Sequence, residues 1–198
     1  MRTVFAALGA LGLLAGCSQT AADTAPVAAA DPMSPLSAPG FMAMAASSDQ
    51  FEIQSSQLAL QMSQNPQVRQ FAQTMIDHHS RTTAELTQIA QANGLTPPPP
   101  VMMPNHQAMF DRLRAAPMGQ FEAAYKQEQI MSHQEALTLM QNYAAQGDLP
   151  PLRDFATRTT PIIQQHYQQA QALPDMASMA PPPPAYTPPP AARAGERG

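Results

Sequence analysis

The 198-residue sequence has one cysteine, no tryptophan and few charged residues, which make up 12% of the chain. A single cysteine excludes an internal disulfide and any zinc or iron–sulfur site built from several thiolates. The chain has ten basic residues against fourteen acidic ones, and Lys126 is the only lysine. Since no basic stripe is available to neutralise phosphates, we predict that the protein does not bind nucleic acid.

Recognisable catalytic motifs are also missing. The sequence lacks a nucleophile elbow, a phosphate-binding loop, a Cys–His pair and a dinucleotide fingerprint. No residue is therefore predicted to be catalytic, and the absence of these motifs favours a binding or structural role over an enzyme.

Proline is abundant, with 22 residues, but it lies mainly outside the middle of the chain. Residues 17–46 are rich in alanine, serine, proline and threonine and show little apolar periodicity, so we predict a flexible linker there. Residues 174–198 contain the run PPPPAYTPPP and are predicted to form a disordered proline-rich tail. A single domain is then expected over residues 47–173.

The N-terminus resembles that of bacterial lipoproteins. Arg2 precedes an apolar run over residues 4–15, which is too short to cross about 30 Å of hydrocarbon and is typical of a signal peptide at residues 1–16. The run ends in Leu-Ala-Gly-Cys at Cys17, similar to the lipobox, whose cysteine is acylated after cleavage. The resemblance implies an envelope protein whose lipid at Cys17 enters a membrane, and Ser18 favours the outer membrane, facing the periplasm. The alternative is an ordinary secretory peptide with an incidental thiol.

The middle of the chain has helical rather than strand periodicity. Apolar residues recur at spacings of three and four in four stretches, which begin near Ser48, Pro66, Gly119 and Pro150. Pro66 suits the first position of the second stretch, and Asn93 with Gly94 is a signal for its end. A turn at residues 147–150 precedes the fourth stretch, and residues 104–116 are a candidate for a short extra helix. We predict an all-α fold, an up-and-down four-helix bundle.

Four polar residues lie within the apolar stripes rather than opposite them, one in each predicted helix. They are Glu52, His79, His133 and His166. A lone histidine on such a stripe is more often a hydrogen-bonded core residue than a metal ligand. A set of four, with one member from every helix, points instead to a shared site.

These four residues are also predicted to lie at one height of the bundle. Glu52 and His79 are each roughly 20 Å from the turn at Pro66, at a rise of 1.5 Å per residue. His133 and His166 are about 21 and 24 Å from the turn that joins their helices. We therefore expect one carboxylate and three imidazoles to converge at mid-height in an apolar surround.

An unpaired charge is costly in such a surround, so the converging groups need a partner. A single transition-metal ion would satisfy them, and so would a mutual hydrogen-bond network. Three nitrogens and one oxygen suit Zn, Fe, Cu or Ni, and ligand type alone does not choose among these metals.

Short motifs around the histidines resemble a bacterial envelope family of ferritin-like proteins catalogued as domain of unknown function 4142. The motifs are FAQTMIDHH, ending at His79, FEAAYKQEQIMSHQ around His133 and PIIQQHYQQA around His166. The likeness covers about residues 47–173. It implies a ferritin-like four-helix bundle in the cell envelope, while the activity of the family is itself not established.

The resemblance also assigns two neighbouring residues to a surrounding shell. Members typically carry Asp-His where this sequence has His78 and His79, so His78 replaces an acid. Glu122 follows Phe121 where relatives often have an aspartate. His78 and Glu122 are thus weaker candidates, and His78, which lies off the apolar stripe, is expected to be replaceable by alanine at little cost.

Di-iron chemistry is not predicted. Such sites need Glu-x-x-His pairs on two helices, together with two more carboxylates. The residues three positions before the stripe histidines are Ile76, Ile130 and Ile163, so no such pair exists.

The 14 methionines offer a second metal interpretation, because thioethers favour Cu(I). Those in predicted loops or tails, with one histidine among them, are Met102, Met103, His106, Met109, Met118, Met176 and Met179. The alternative is that these methionines reflect composition alone. Core filling is predicted for Met62, Met75, Met131 and Met140.

Three functions follow from these patterns. The first is a metal-binding or metal-sensing module of the envelope. The second is a non-catalytic structural or stress-related interaction protein whose core histidines bond only to Glu52 and to the backbone. A hydrolase or oxidase built on the same site is the third and least favoured.

Overall fold

The computed structural model describes residues 31–174, within which all regular secondary structure is helical. Residues 31–174 form five α-helices, and a short 3-10 turn at Met118–Gln120 precedes the fourth of them. The helices are α1 (Ala38–Met62), α2 (Pro66–Ala92), α3 (Pro104–Ala115), α4 (Phe121–Gln146) and α5 (Pro150–Gln171). The predicted all-α class is confirmed, and the candidate extra helix is formed as α3.

Prolines and polar caps fix where the helices begin. The Asn65 side chain accepts a hydrogen bond from the backbone N–H of Gln67 at 3.0 Å, and Pro66 occupies the start of α2, where a missing N–H costs nothing. Gly94, with a φ of 68°, follows the end of α2 in the left-handed region that favours glycine. The predicted start and stop of this helix are therefore both correct.

Two short turns set the pairing of the long helices. Residues 63–65 join α1 to α2, and residues 147–149 join α4 to α5, so the members of each pair run antiparallel. Helix α1 also packs against α4, and α2 packs against α5, while α3 lies against α1 and α4.

The core contains two large apolar clusters at opposite ends of the long helices and a small third one, made by Ala136, Leu137 and Ile163. One large cluster contains Phe51, Phe71 and Tyr125, and the other contains Phe41 and Phe155. Between the two large clusters lies a layer of buried polar side chains, which belong to Asp49, Glu52, His79, His133 and His166. The candidate site is therefore screened from water by apolar packing above and below it.

The predicted linker extends too far along the chain. Helix α1 begins at Ala38, where the side chain of Ser37 accepts a hydrogen bond from the backbone N–H of Gly40 at 3.2 Å. Phe41 and Met42 are buried in the core, so residues 38–46 belong to the domain rather than to a tether. Because these residues are rich in alanine and serine, the apolar stripe of their helix was not recognised in the sequence. That stripe continues into the predicted first helix.

Several predictions concern segments outside the described residues. These are the signal peptide at residues 1–16, the lipidated Cys17, the part of the linker before residue 31, the tail from residue 175, and Met176 and Met179. Among the helices that are described, none is long and apolar enough to cross a bilayer.

Replacing Phe41 by alanine tests whether the start of α1 belongs to the domain. The Phe41 ring is fully buried, stacks on Tyr143 with ring centroids 4.0 Å apart, and meets Phe155 edge-on at 6.3 Å. We expect F41A to lower the free energy of unfolding by about 3–5 kcal/mol in chemical denaturation. Met33→Ala, at a residue that is 48% exposed, is the control and should change it by less than about 0.5 kcal/mol. Equal denaturation midpoints for F41A and the unaltered protein would restore the tether interpretation.

Candidate metal centre

Three histidines from three helices meet in the polar layer. His79 lies on α2, His133 on α4 and His166 on α5, and their ring centroids are 5.8, 5.6 and 5.5 Å apart pairwise. Each offers one ring nitrogen to a common point, and these nitrogens lie within 4.8 Å of one another. All three side chains are buried. The convergence expected from helix rise and turn positions is therefore present for the three histidines, whereas Glu52 is not among the residues whose ligand atoms lie within that distance.

The other ring nitrogen of each histidine is held by a partner outside the cluster. His79 donates from Nδ1 to Oδ1 of Asp49 at 2.8 Å, and His133 Nδ1 lies 2.8 Å from the backbone carbonyl of Gln129, its own helix one turn earlier. His166 Nε2 lies 2.8 Å from Nδ1 of His78. Because ring orientation and tautomer are set by such contacts, each partner directs the remaining nitrogen to the centre.

The inward nitrogens are without hydrogen-bond partners among residues 31–174. They are Nε2 of His79, Nε2 of His133 and Nδ1 of His166. Buried polar atoms are normally paired, so three unpaired nitrogens that converge on one point fit a shared ligand. Neutral imidazole nitrogens bind Zn, Cu, Ni and Fe, so a metal ion suits this set of donors.

Glu52 on α1 supplies the carboxylate of the layer. Its side chain is 1% exposed, and neither carboxylate oxygen has a hydrogen-bond partner among the described residues. Oε1 lies 3.6 Å from Nδ1 of His133, which is beyond hydrogen-bond distance. The hydrogen-bonded Glu/His core of the alternative interpretation is thus not formed here, and the carboxylate remains available to a cation.

Burial and neighbouring charge give the three imidazoles different proton affinities. Burial lowers the pKa of His133, and the charge of Glu52 opposes this only in part. Burial, reinforced by the nearby imidazoles, lowers the pKa of His166 to about 2. Burial would lower the pKa of His79 too, but the hydrogen bond to Asp49 and the charges of Asp49 and Glu52 outweigh it, so this pKa is raised. Two of the three rings are therefore neutral at neutral pH, as metal binding requires.

Sequence analysis did not include Asp49 among the candidate site residues and missed its role in the layer. Its carboxylate accepts three side-chain hydrogen bonds, from His79 at 2.8 Å and from Thr82 and Thr83 at 2.9 Å each. Glu52 lies three residues further along α1, so both carboxylates share a face. That spacing was the signal that would have identified Asp49.

The two weaker candidates have different outcomes. His78 was expected to be replaceable at little cost, but it contacts His166 and its ring lies 5.0 Å from the ring of His166. It is part of the support for the site. Glu122 is not, because its carboxylate accepts a hydrogen bond from Ser63 at the turn between α1 and α2, away from the histidines. The expectation for Glu122 was wrong.

The methionines also divide. Met75 and Met140 are buried in the core, as predicted. Met131 is 40% exposed, so its assignment as core filler was wrong, and Met109, assigned to a loop, is 4% exposed in α3.

Comparison with known protein families finds one family profile that matches most of the chain. The profile described as "Domain of unknown function (DUF4142)" matches residues 22–173, well over half of the chain. No curated protein matches the sequence significantly.

Two solved structures have a similar fold. CopM in the Cu(II)-bound form is 20% identical, with a TM-score of 0.59, and the match covers 69% of this chain and 94% of that chain. CopM in the Ag-bound form, obtained by co-crystallization, is 20% identical, with a TM-score of 0.57, and covers 69% and 93%. At this identity the likeness establishes the fold alone.

Proposed function

Because this chain belongs to the DUF4142 family and brings three unpartnered imidazole nitrogens to one buried point, we propose that it binds a single transition-metal ion. We propose His79, His133 and His166 as the ligands. Glu52, whose Oε1 lies 3.6 Å from the outer nitrogen Nδ1 of His133, is proposed as a fourth ligand that would have to turn toward the centre. The observation that carries the proposal is that each outer ring nitrogen already has a partner, while no inner one has a partner among residues 31–174.

The orientation of the rings is difficult to explain without an ion. A hydrogen-bond network among the same residues would place donors opposite acceptors, yet the inward nitrogens and both oxygens of Glu52 have no partners among the described residues. Leaving such groups buried and unpaired costs about 1–3 kcal/mol each. An ion at the centre satisfies the three inward nitrogens at once.

Four protein ligands also argue for binding rather than catalysis. Catalytic zinc sites usually keep three protein ligands and one position open for water or substrate, whereas four protein ligands close the site. With Glu52 turned toward the centre as a fourth ligand beside the three imidazoles, the site would be closed, so we propose a holding or sensing role and assign no catalytic residue.

Copper is the first metal to test among Zn, Fe, Cu and Ni. Imidazole ligands suit all four, and Cu(II) is generally bound most tightly by a given nitrogen site. The structural neighbour CopM is known in Cu(II)-bound and Ag-bound forms, which adds copper as a candidate through similarity of fold. Metal analysis of protein purified without a His-tag, followed by titration with each divalent ion, tests the choice.

We further propose that α1, α2, α4 and α5 form a ferritin-like up-and-down four-helix bundle, with α3 as an additional helix on its side. The antiparallel pairs and the contacts of α1 with α4 and of α2 with α5 support this arrangement. Di-iron chemistry is not included, because the layer contains no Glu-x-x-His pair.

We also propose that the protein is a lipoprotein of the cell envelope, anchored through Cys17 in the outer membrane and facing the periplasm. The support is the apolar run over residues 4–15 and the Leu-Ala-Gly-Cys motif that ends it. A lipid anchor at Cys17 would keep the metal site in the periplasm.

Cys17→Ser is expected to stop lipid attachment, because the thiol is the acylated group. The variant should move from the membrane fraction to the soluble fraction, or should accumulate as a longer unprocessed form, in fractionated cells followed by immunoblotting. Ser18→Ala is the matched control and should fractionate like the unaltered protein. Unchanged membrane fractionation of C17S would contradict the anchor.

A further inference from the structure

A second cluster of metal-ligating side chains lies at the start of α3, outside the central site. A cavity of about 200 Å³ opens there between α1, α3 and α4. The residues that line it include Met44, Met103, His106 and Glu135, whose side chains carry two thioethers, an imidazole and a carboxylate. None of these residues belongs to the ligand set proposed above.

His106 is held in one orientation by groups that point its free edge into the cavity. Nδ1 lies 2.7 Å from Oγ of Ser47, and the ring stacks on Phe51 with centroids 6.0 Å apart. Nε2 lies 3.8 Å from Oε2 of Glu135, another wall residue, so it is the nitrogen on the cavity side. His106 is only 6% exposed, so it is a buried residue rather than a surface histidine.

Ser47 ties Met103 to the same assembly. Its hydroxyl oxygen accepts a hydrogen bond from the backbone N–H of Met103 at 2.7 Å. A hydroxyl oxygen has two acceptor lone pairs, so it can accept from Nδ1–H of His106 as well. In that tautomer Nε2 carries a free lone pair, and Met44 and Met103 line the same cavity as His106.

The chemistry of these groups selects a particular class of ion. Thioethers are soft ligands that favour Cu(I) over hard divalent cations, and imidazole is compatible with them. Burial lowers the pKa of His106, which keeps its ring neutral at neutral pH. Glu135 is 56% exposed at the rim and carries a charge that attracts cations. A hard ion such as Mg²⁺ would require several oxygen ligands, which the thioethers do not supply.

We infer that this cavity is a second metal site, selective for a soft monovalent cation of the Cu(I) or Ag(I) class, with Met44, Met103 and His106 as ligands. The inference does not depend on the central site. Its ligands, helices and preferred ion differ, and either site can fail without the other.

Titration of the full-length protein with Ag(I) tests the inference, with the methyl signals of ¹³C-labelled methionines observed by NMR. The first equivalents of Ag(I) should shift the signals of Met44 and Met103. The double variant M44L/M103L removes both thioethers at nearly constant volume, so it should stay folded and bind one Ag(I) fewer. Met140→Leu, in the core away from the cavity, is the matched control and should bind as many as the unaltered protein.

The two sites are distinguished in a His79→Ala background. Loss of divalent binding there, with Met44 and Met103 still shifting on Ag(I) addition, would support the cavity site regardless of what happens at the centre. The inference is overturned if M44L/M103L binds the same number of Ag(I) ions as M140L, or if the Met44 and Met103 signals do not move.

Discussion

His79→Ala is expected to abolish tight binding of the first equivalent of Cu(II), Zn(II) or Ni(II). The substitution removes one of three convergent nitrogens and leaves Asp49 buried without its imidazole partner. Outer-shell partners of metal ligands are worth about 10–100-fold in affinity, so loss of a ligand itself should exceed about 100-fold. Calorimetric titration of untagged protein, with metal content measured on the same preparations, gives the result. Circular dichroism shows whether the variant remains helical.

The two histidines outside the ligand set are expected to affect metal binding less than His79 does. His78→Ala should weaken binding by about 10–100-fold, because it deprives Nε2 of His166 of its acceptor. His106→Ala should leave divalent binding at the centre unchanged, since that ring bonds to Ser47 and faces another cavity. Equal affinities for H79A and H106A would remove the central site from consideration.

Much of this site could be predicted because helix geometry is regular. The 3.6-residue period placed Glu52, His79, His133 and His166 on apolar stripes, and the rise per residue with two turns placed them at one height. Both properties are local, so they can be derived from the sequence without knowing how the helices pack. The inward nitrogens of the three imidazoles, which lie within 4.8 Å of one another, meet as these properties predict.

What could not be predicted depends on side-chain direction and on composition. His78 was judged to be off the stripe, yet a ring at the edge of a stripe reaches its neighbour on α5, 88 residues away, at 2.8 Å. Residues 38–46 were judged to be a linker, because alanine and serine are common to linkers and to the close contacts of buried helices. Only the partners decide such cases, and partners are not visible in a single sequence.

Glu52→Gln is expected to stabilise the metal-free protein while weakening its metal binding. The buried carboxylate has no hydrogen-bond partner among the described residues, and the imidazole of His133, 3.6 Å away, is neutral at neutral pH. An amide of the same shape removes that charge, so the free energy of unfolding without metal should rise by about 1–3 kcal/mol. The thermal stabilisation produced by added Cu(II) or Zn(II) should fall, because an amide oxygen is a poorer ligand than a carboxylate.

Glu128→Gln is the matched control, and it should act in the opposite direction. Glu128 is also buried, on α4, but its two oxygens accept hydrogen bonds from Arg112 at 2.6 and 2.9 Å. Removing a paired charge breaks that bond, so E128Q should lower the free energy of unfolding by about 1 kcal/mol, a modest value because Arg112 is half exposed. Metal binding should not change in E128Q. If E52Q instead lowers stability as E128Q does, Glu52 is hydrogen-bonded in solution, and the layer is a structural network without an ion. Opposite signs for the same substitution at two buried glutamates would mean that Glu52 is kept charged for a cation.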